Sequence, residues 1–587
     1  MSEQLENIID NREGFYNKIQ NSSFFKLLSL APVIAMFSAI IINIIYYLRV
    51  DTVIGQFGDD AWYIVLARSI AEHGTYQLIS SPIQGIQPSY PPGLPFLLSI
   101  LLKVFSFKTE ELWLLKGLSI AAMNFLGLGV FVYGRKIKEY SSLVSWLLAM
   151  IVILSPAFVF LATSTVMSEC VFTCFQLWAV VHLEKSLKNN EVTYSTMSTM
   201  SGLACACFYT RSIGITLIAA VAIRLWRQVG WQRAAIFVFF CAVIIAPWFM
   251  YCQVAYPNQA SKLKHGGNIV ESYGEQVSMK IAGVETVGMA NPIEYVTRVT
   301  NNFRAILERD IIGIFLPAAL RGEAKSGEEV LGLGGNNSKV IFAPQAIFLS
   351  LLLSIFIIGG FIKRSLKEFT TSEFLVLITI PFILIWPWST FRFILPLTPF
   401  LLGYWVDGVQ AFSGWLSKRV GKEIEVDALV RVSFCCILFF FALEHMRYIA
   451  LLRNKPEEIV WVRGAKYVDE VCFWMRDHLP VNSVIASTNS AKVFLLTNHQ
   501  SVASDMSGAG WEYWRESGIR YMAVLRVEKP GPMSDSPEKY PLVYKTATRP
   551  SFYVIDLGEH TKRDSWEEMG KWWDNYFDRK VGIIPSV

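Results

Sequence analysis

Two adjacent carboxylates, Asp59 and Asp60 in the segment GQFGDDAWY, stand about ten residues beyond the first long apolar run. A paired acid at that place could act as a general base on a hydroxyl group or could bind a cation. An Asp just ahead of a helix also accepts the first backbone N–H groups, so capping is the competing reading. Later in the same segment, Tyr90-Pro91-Pro92-Gly93 forces extended backbone before a helix. A helix that starts so can aim N–H groups at an anion, or can be a plain re-entrant turn. Four more ionisable residues lie in or beside apolar runs: Glu169, Arg211, Arg392 and Asp407. Charge at such depth is costly, which makes function the default hypothesis. The fork of an Arg matches phosphate oxygens, so an acidic group faced by Arg211 and Arg392 has the composition of a site for a phosphate and a polar acceptor. Arginines snorkelling to an interface are the plain alternative, and Asp407 reads as a boundary residue at the cytoplasmic end of its run. His73 and His265 could join Asp59 or Asp60 around a divalent metal, but their separation carries no ligand signature, so a metal is possible without being indicated.

The elements that must hold these groups follow from composition. Of 587 residues, 53% are hydrophobic and only 17% charged. That excludes an ordinary soluble enzyme and a disordered chain, and points to an integral membrane protein. A net charge of +5 gives no footprint for nucleic acid. The first 27 residues are polar and no cleavable signal peptide is expected. Seven of nine cysteines lie inside apolar runs and read as helix-packing fillers rather than a disulfide framework. No P-loop, GxGxxG, HExxH or GxSxG stands in a meaningful context.

Apolar runs occur near 28–48, 112–134, 141–160, 164–182, 195–210, 212–227, 233–251, 341–362, 371–388, 391–407 and 429–450, with a Pro-initiated one near 91–107. Lys and Arg cluster in the short segments 1–27, 135–140, 183–194, 224–233, 363–370 and 408–428. All six fall on one face if the N-terminus is cytoplasmic and 91–107 does not cross. The expectation is a polytopic helix bundle of about 11–13 spans over 1–450, with outer loops 49–111 and 252–340. The second loop should carry one helix near 302–320. The tail, 451–587, turns ordinary in composition. It predicts helices over 458–479 and 489–497 and strands over 483–487, 520–527 and 551–556, a small α/β domain outside the membrane. No inverted repeat of the transporter kind is evident.

Taken together, GDDAWY after the first run, YPPGLPFLL in the same loop, MSE in a middle run, TRSIG and RFILPLTPFLL resemble the GT-C superfamily of membrane glycosyltransferases. More narrowly, the chain is similar to bacterial relatives of the protein O-mannosyltransferases and the lipid A aminoarabinose transferase. The stretch GAKYVDEVCFWMRDHLPVNSVIASTNSAKVFLLTN looks like the soluble domain that follows such bundles. The resemblance implies transfer of a sugar from a polyprenyl-phosphate carrier to a glycan, lipid or protein acceptor on the outer face of the cytoplasmic membrane. It implies that Asp59 or Asp60 is the catalytic carboxylate, and nearness to the expected helix start favours Asp60. Phosphate and substrate contacts would fall to Arg211 and Arg392, with Tyr90, Glu169 and His265 around them. No cofactor is required by this chemistry. Aminoarabinose transferases carry an acidic–Lys pair before the loop prolines; Ser89 and Tyr90 stand there instead, which leaves phosphate binding to the arginines. A lipid or polysaccharide transporter and a non-catalytic assembly protein are the alternatives. A transporter should show polar residues along both membrane halves.

Overall fold

A computed structural model describes residues 31–83, 85–255, 272–280, 288–317, 344–421, 425–503, 519–525, 542–547 and 552–556. These are mainly helical, with one small sheet near the C-terminus. Contacts divide the chain into two compact units, Met1–Val50 and Asp51–Val587. The first contains α1, Ala31–Arg49, whose 19 residues make a rod about 28 Å long.

The second unit begins with α2 (Asp59–His73) and α3 (Gly93–Phe105). At 13 residues α3 is about 20 Å long, shorter than the roughly 30 Å hydrocarbon core of a bilayer. Its Leu94 and Leu98 are buried while Phe96, Ile100 and Val104 face outward. Gly93 is required where it starts: a Cβ there would sit 2.7 Å from the Tyr209 backbone. Next come α4 (Lys116–Val132), α5 (Ser142–Leu154), α6 (Pro156–Ser164), α7 (Glu169–Lys188), α8 (Tyr194–Thr210), α9 (Ile215–Gln228) and α10 (Trp231–Ala255). Then come α11 (Tyr273–Ser278), α12 (Pro292–Ala305) and α13 (Ile311–Phe315). The bundle closes with α14 (Pro344–Lys367), α15 (Thr371–Ile385), α16 (Phe391–Ile394), α17 (Thr398–Val420) and α18 (Val426–Asn454).

Among the described residues four helices have the length and apolar character to cross a membrane: Thr109–Ile137, Trp231–Val254, Pro344–Lys367 and Val426–Asn454. α5 and α6 form a fifth candidate bent by 48°, and Pro156 at the start of α6 explains the bend. Other apolar runs fold as shorter helices. The break between α8 and α9 falls at Arg211, whose backbone is extended. That between α15 and α16 falls at Trp386-Pro387. α14 and α17 cross through glycine: a Cβ on Gly408 would lie 1.9 Å from the Phe356 carbonyl oxygen, so the backbones touch.

The helix expected near 302–320 starts earlier than 302. Asn291 and Glu294 form a reciprocal capping box around Pro292, and these three residues set the start of α12. Residues 318–320 of the expected helix lie outside the described residues.

In the tail, α19 (Val460–His478), β1 (Ile485–Ser487), α20 (Ser490–Thr497), β2 (Ser501–Ala503), β3 (Tyr521–Val524), β4 (Leu542–Lys545) and β5 (Tyr553–Asp556) build a sheet of order β2-β1-β3-β5-β4. β1 pairs parallel with β2 and β3, while β5 runs antiparallel to β3 and β4. Val468, Cys472, Met475, Ile485, Val493 and Val554 form its core. β2 and β4 were not expected. Like β1, β3 and β5 they are only three or four residues long, but no longer β-branched or aromatic run surrounds them to mark a strand.

Candidate functional site

Asp59 and Asp60 open α2 but live in different surroundings. Asp60 is wholly buried. Its Oδ2 accepts the Gly55 N–H at 3.1 Å, and its Oδ1 accepts the Phe57 N–H at 3.1 Å and that of Ala61 at 3.0 Å. The carboxylate thereby ties the preceding segment to the helix. Burial pushes its carboxyl up from 3.8 to about 6, against the opposing pull of the Lys492 cation. The Asp59 side chain is one-third exposed and accepts from the Tyr90 hydroxyl at 2.8 Å and from Arg392 Nη1 at 2.9 Å.

Behind Asp59 lies a buried ion cluster. Glu169 is the first residue of α7, where a negative charge is favoured by the unpaired N–H groups of a helix start. Its Oε1 accepts from both Arg392 Nε and Arg211 Nη1. Its Oε2 has no hydrogen-bond partner among the described residues. Arg211 also donates to Ser168 Oγ at 3.4 Å, and Ser168 in turn meets the Tyr63 hydroxyl at 3.2 Å. The Arg211 guanidinium lies 5.1 Å from the Phe393 ring, and that of Arg392 lies 5.0 Å from the Phe57 ring. Both are buried and paired rather than extended to a surface. The result is a chain Asp59–Arg392–Glu169–Arg211 with two positive and two negative charges.

Chain breaks bring these groups together. Arg211 sits in the α8–α9 break, Arg392 in the single turn of α16, Glu169 at a helix start, and Asp59 at another. Arg309 and Asp310 clamp the turn before Arg392: Thr390 donates to Asp310, and Arg309 donates to Ser389 and Thr390 at 3.3 and 3.2 Å.

Two tyrosines were not anticipated. Tyr63, one helical turn after Asp59, stands edge-on to Tyr90 with ring centroids 5.1 Å apart. The i,i+4 spacing from Asp59 was the available signal. Tyr273 opens α11 and packs on Trp386 at 5.3 Å. Burial pushes its phenol up, and it senses the charges of Arg211, Asp59, Arg392 and Glu169. No local pattern announces it.

Of the residues singled out in the sequence, Asp59, Tyr90, Glu169, Arg211 and Arg392 converge, with Asp60 directly behind. Asp407 belongs elsewhere, bound to Lys138 at 3.1 Å and Tyr140 at 2.8 Å. His73 ends α2, about 21 Å along the helix from Asp59. His265 lies outside the described residues. Among the described residues no group of three or more His, Cys, Asp or Glu is placed to hold a metal ion.

No family profile matches the chain, and no curated protein does either. Solved structures do. ArnT from Cupriavidus metallidurans bound to undecaprenyl phosphate superposes over 90% of this chain and 99% of its own, at 12% identity and a TM-score of 0.51. The oligosaccharyltransferase AglB from Archaeoglobus fulgidus, in complex with an inhibitory peptide and a dolichol-phosphate, aligns with 91% of this chain and 74% of its own, at 12% identity and a TM-score of 0.46. The chain shares the fold of ArnT along nearly the whole of both chains.

Proposed function

We propose that this chain is a polyprenyl-phosphate-dependent glycosyltransferase, working on the outer face of the cytoplasmic membrane with its N-terminus inside and its tail outside. The bundle 1–450 would hold the reaction and 451–587 would form the outer domain. The observation that carries the reading is the junction of a partly exposed Asp59 with two buried arginines sharing one glutamate. The undecaprenyl phosphate on ArnT, which has this fold, agrees with a phosphate at such a pair.

Asp59 rather than Asp60 is the acting carboxylate. Asp60 directs its oxygens to backbone N–H groups, while Asp59 reaches both solvent and Arg392. The acceptor hydroxyl oxygen attacks the anomeric carbon as its proton passes to Asp59. The bond from that carbon to the phosphate oxygen breaks, and its electron pair leaves with the phosphate. One such displacement inverts the centre. Arg392 and Arg211 stabilise the charge that develops on the leaving phosphate. In the resting chain Asp59 occupies Arg392 Nη1. A donor phosphate taking that donor would release Asp59 toward the acceptor.

The test is undecaprenyl phosphate binding to the full chain in nanodiscs. Arg392→Gln and Arg211→Gln should each weaken it about tenfold to a hundredfold, the range for a lost charge-assisted hydrogen bond. Unchanged binding in both variants would remove the phosphate role.

A further inference from the structure

The tail reaches back to the segment that carries the acids. From the N-cap of α20, Asn489 Nδ2 donates to the Gly55 carbonyl at 2.9 Å. Lys492, with no exposed surface, donates to Gln56 Oε1 at 3.3 Å and pairs with Asp469 of α19 at 2.7 Å. Trp461 of α19 stands edge-on to Phe57, ring centroids 6.2 Å apart, and the other neighbour of Phe57 is the Arg392 guanidinium. Residues 55–57 are thus gripped twice. The Asp60 carboxylate holds the N–H groups of Gly55 and Phe57, and the tail holds the Gly55 carbonyl, the Gln56 side chain and the Phe57 ring.

We infer that the C-terminal domain is a working part of the site, with Lys492 a positioning residue that locks the 55–57 segment against Asp60 and so places Phe57 beside Arg392. The consequence for catalysis rests on the transferase reading; the mechanical coupling does not. The charged groups facing Asp60 are few. Lys492 comes from α20, balanced by Asp469 of α19; Lys116 comes from α4, balanced by Asp51 at 2.7 Å; Asp59 is its neighbour on α2. Loss of the Lys492 cation removes the largest opposing influence on a carboxyl that burial already raises. A lysine that merely stabilised the tail would leave amide exchange at Gly55 and Phe57 untouched.

The experiment uses the full chain in nanodiscs. The Asp60 carboxyl stretch is assigned by its disappearance in Asp60→Asn and titrated by difference infrared spectroscopy. The native midpoint is expected at about 6. Lys492→Met should move it upward by about one unit, a tenfold change in proton affinity, and Lys492→Arg should return it. Amide exchange at Gly55 and Phe57 should quicken up to about tenfold in Lys492→Met. Asn489→Asp guards against a misfolded lysine variant. It keeps the oxygen that accepts the Lys492 N–H at 3.3 Å and loses only the donor to Gly55, and it should quicken exchange similarly. An unmoved midpoint with unmoved exchange in both variants would overturn the inference. Retention of the host's surface glycan by Asp59→Asn, together with a moved midpoint in Lys492→Met, would sink the transferase reading alone and leave the coupling standing.

Discussion

Glu169 is the shared counter-ion of the cluster, so Glu169→Gln is an informative perturbation. It removes one negative charge and leaves two buried guanidiniums with one carboxylate, Asp59, which contacts Arg392. Breaking a buried pair by deleting one partner costs about 3–5 kcal/mol. Gln keeps one carbonyl oxygen for an arginine, and Arg392 keeps Asp59 at 2.9 Å. The loss therefore falls on Arg211, left with Ser168 at 3.4 Å and the Phe393 ring. That places the cost at the low end, about 3 kcal/mol. In nanodiscs the thermal midpoint should drop by about 2–3 °C for a chain of this size. The same charge imbalance favours an added anion. Undecaprenyl phosphate should raise the variant's midpoint by more than it raises the native one, because ligand binding to the folded state stabilises in proportion to its affinity. An unchanged midpoint and equal stabilisation by the phosphate would refute the reasoning.

Other outcomes follow from the same geometry. Asp60 has a folded-state pKa of about 6 against an ordinary 3.8, so the folded chain holds its proton more tightly than the unfolded one. Folding stability should therefore fall by up to about 3 kcal/mol as pH rises from about 4 to about 6 and then level off. Chemical denaturation of native chain and Asp60→Asn across that window should show the slope in the first and its loss in the second. Gly408→Ala should destabilise the α14–α17 crossing by about 3 kcal/mol or more, since the obstacle is a carbonyl oxygen of the Phe356 backbone. Gly414→Ala, on the same helix with nothing within 4 Å of its added Cβ, should be neutral or stabilising by up to about 1 kcal/mol in the same thermal assay.

How much was legible in the sequence depended on whether a signal was local. Apolar runs and the DD-then-PPG order are local, and they led to a helical bundle with an acidic outer loop. The tail's α19, α20, β1, β3 and β5 carry periodicity or β-branched runs and were expected close to where they lie. β2 and β4, three and four residues long, stand in no longer run of β-branched or aromatic residues that would have marked them. Four ionisable residues stood out because charge is rare in apolar runs, and an acidic group facing Arg211 and Arg392 was expected. That both arginines share one oxygen of Glu169 was not visible, since they lie far apart in sequence and meet through chain breaks. The contrast between the two acids was hidden for a related reason. Nearness to the helix start favoured Asp60 as the acting acid, and that same position turns its oxygens toward backbone N–H groups of its own loop. The start of α12 could have been read from Asn291-Pro292 and Glu294, a signal local enough to be found.

The central claim is that Asp59 is the carboxylate that serves sugar transfer. It is tested by comparing surface glycans, by mass spectrometry, from host cells carrying native chain, Asp59→Asn, or a deletion, at matched expression. The account predicts that Asp59→Asn matches the deletion, with transfer reduced by about a hundredfold or more, the scale of a lost general base. Full retention in Asp59→Asn of a glycan that the deletion loses would contradict it.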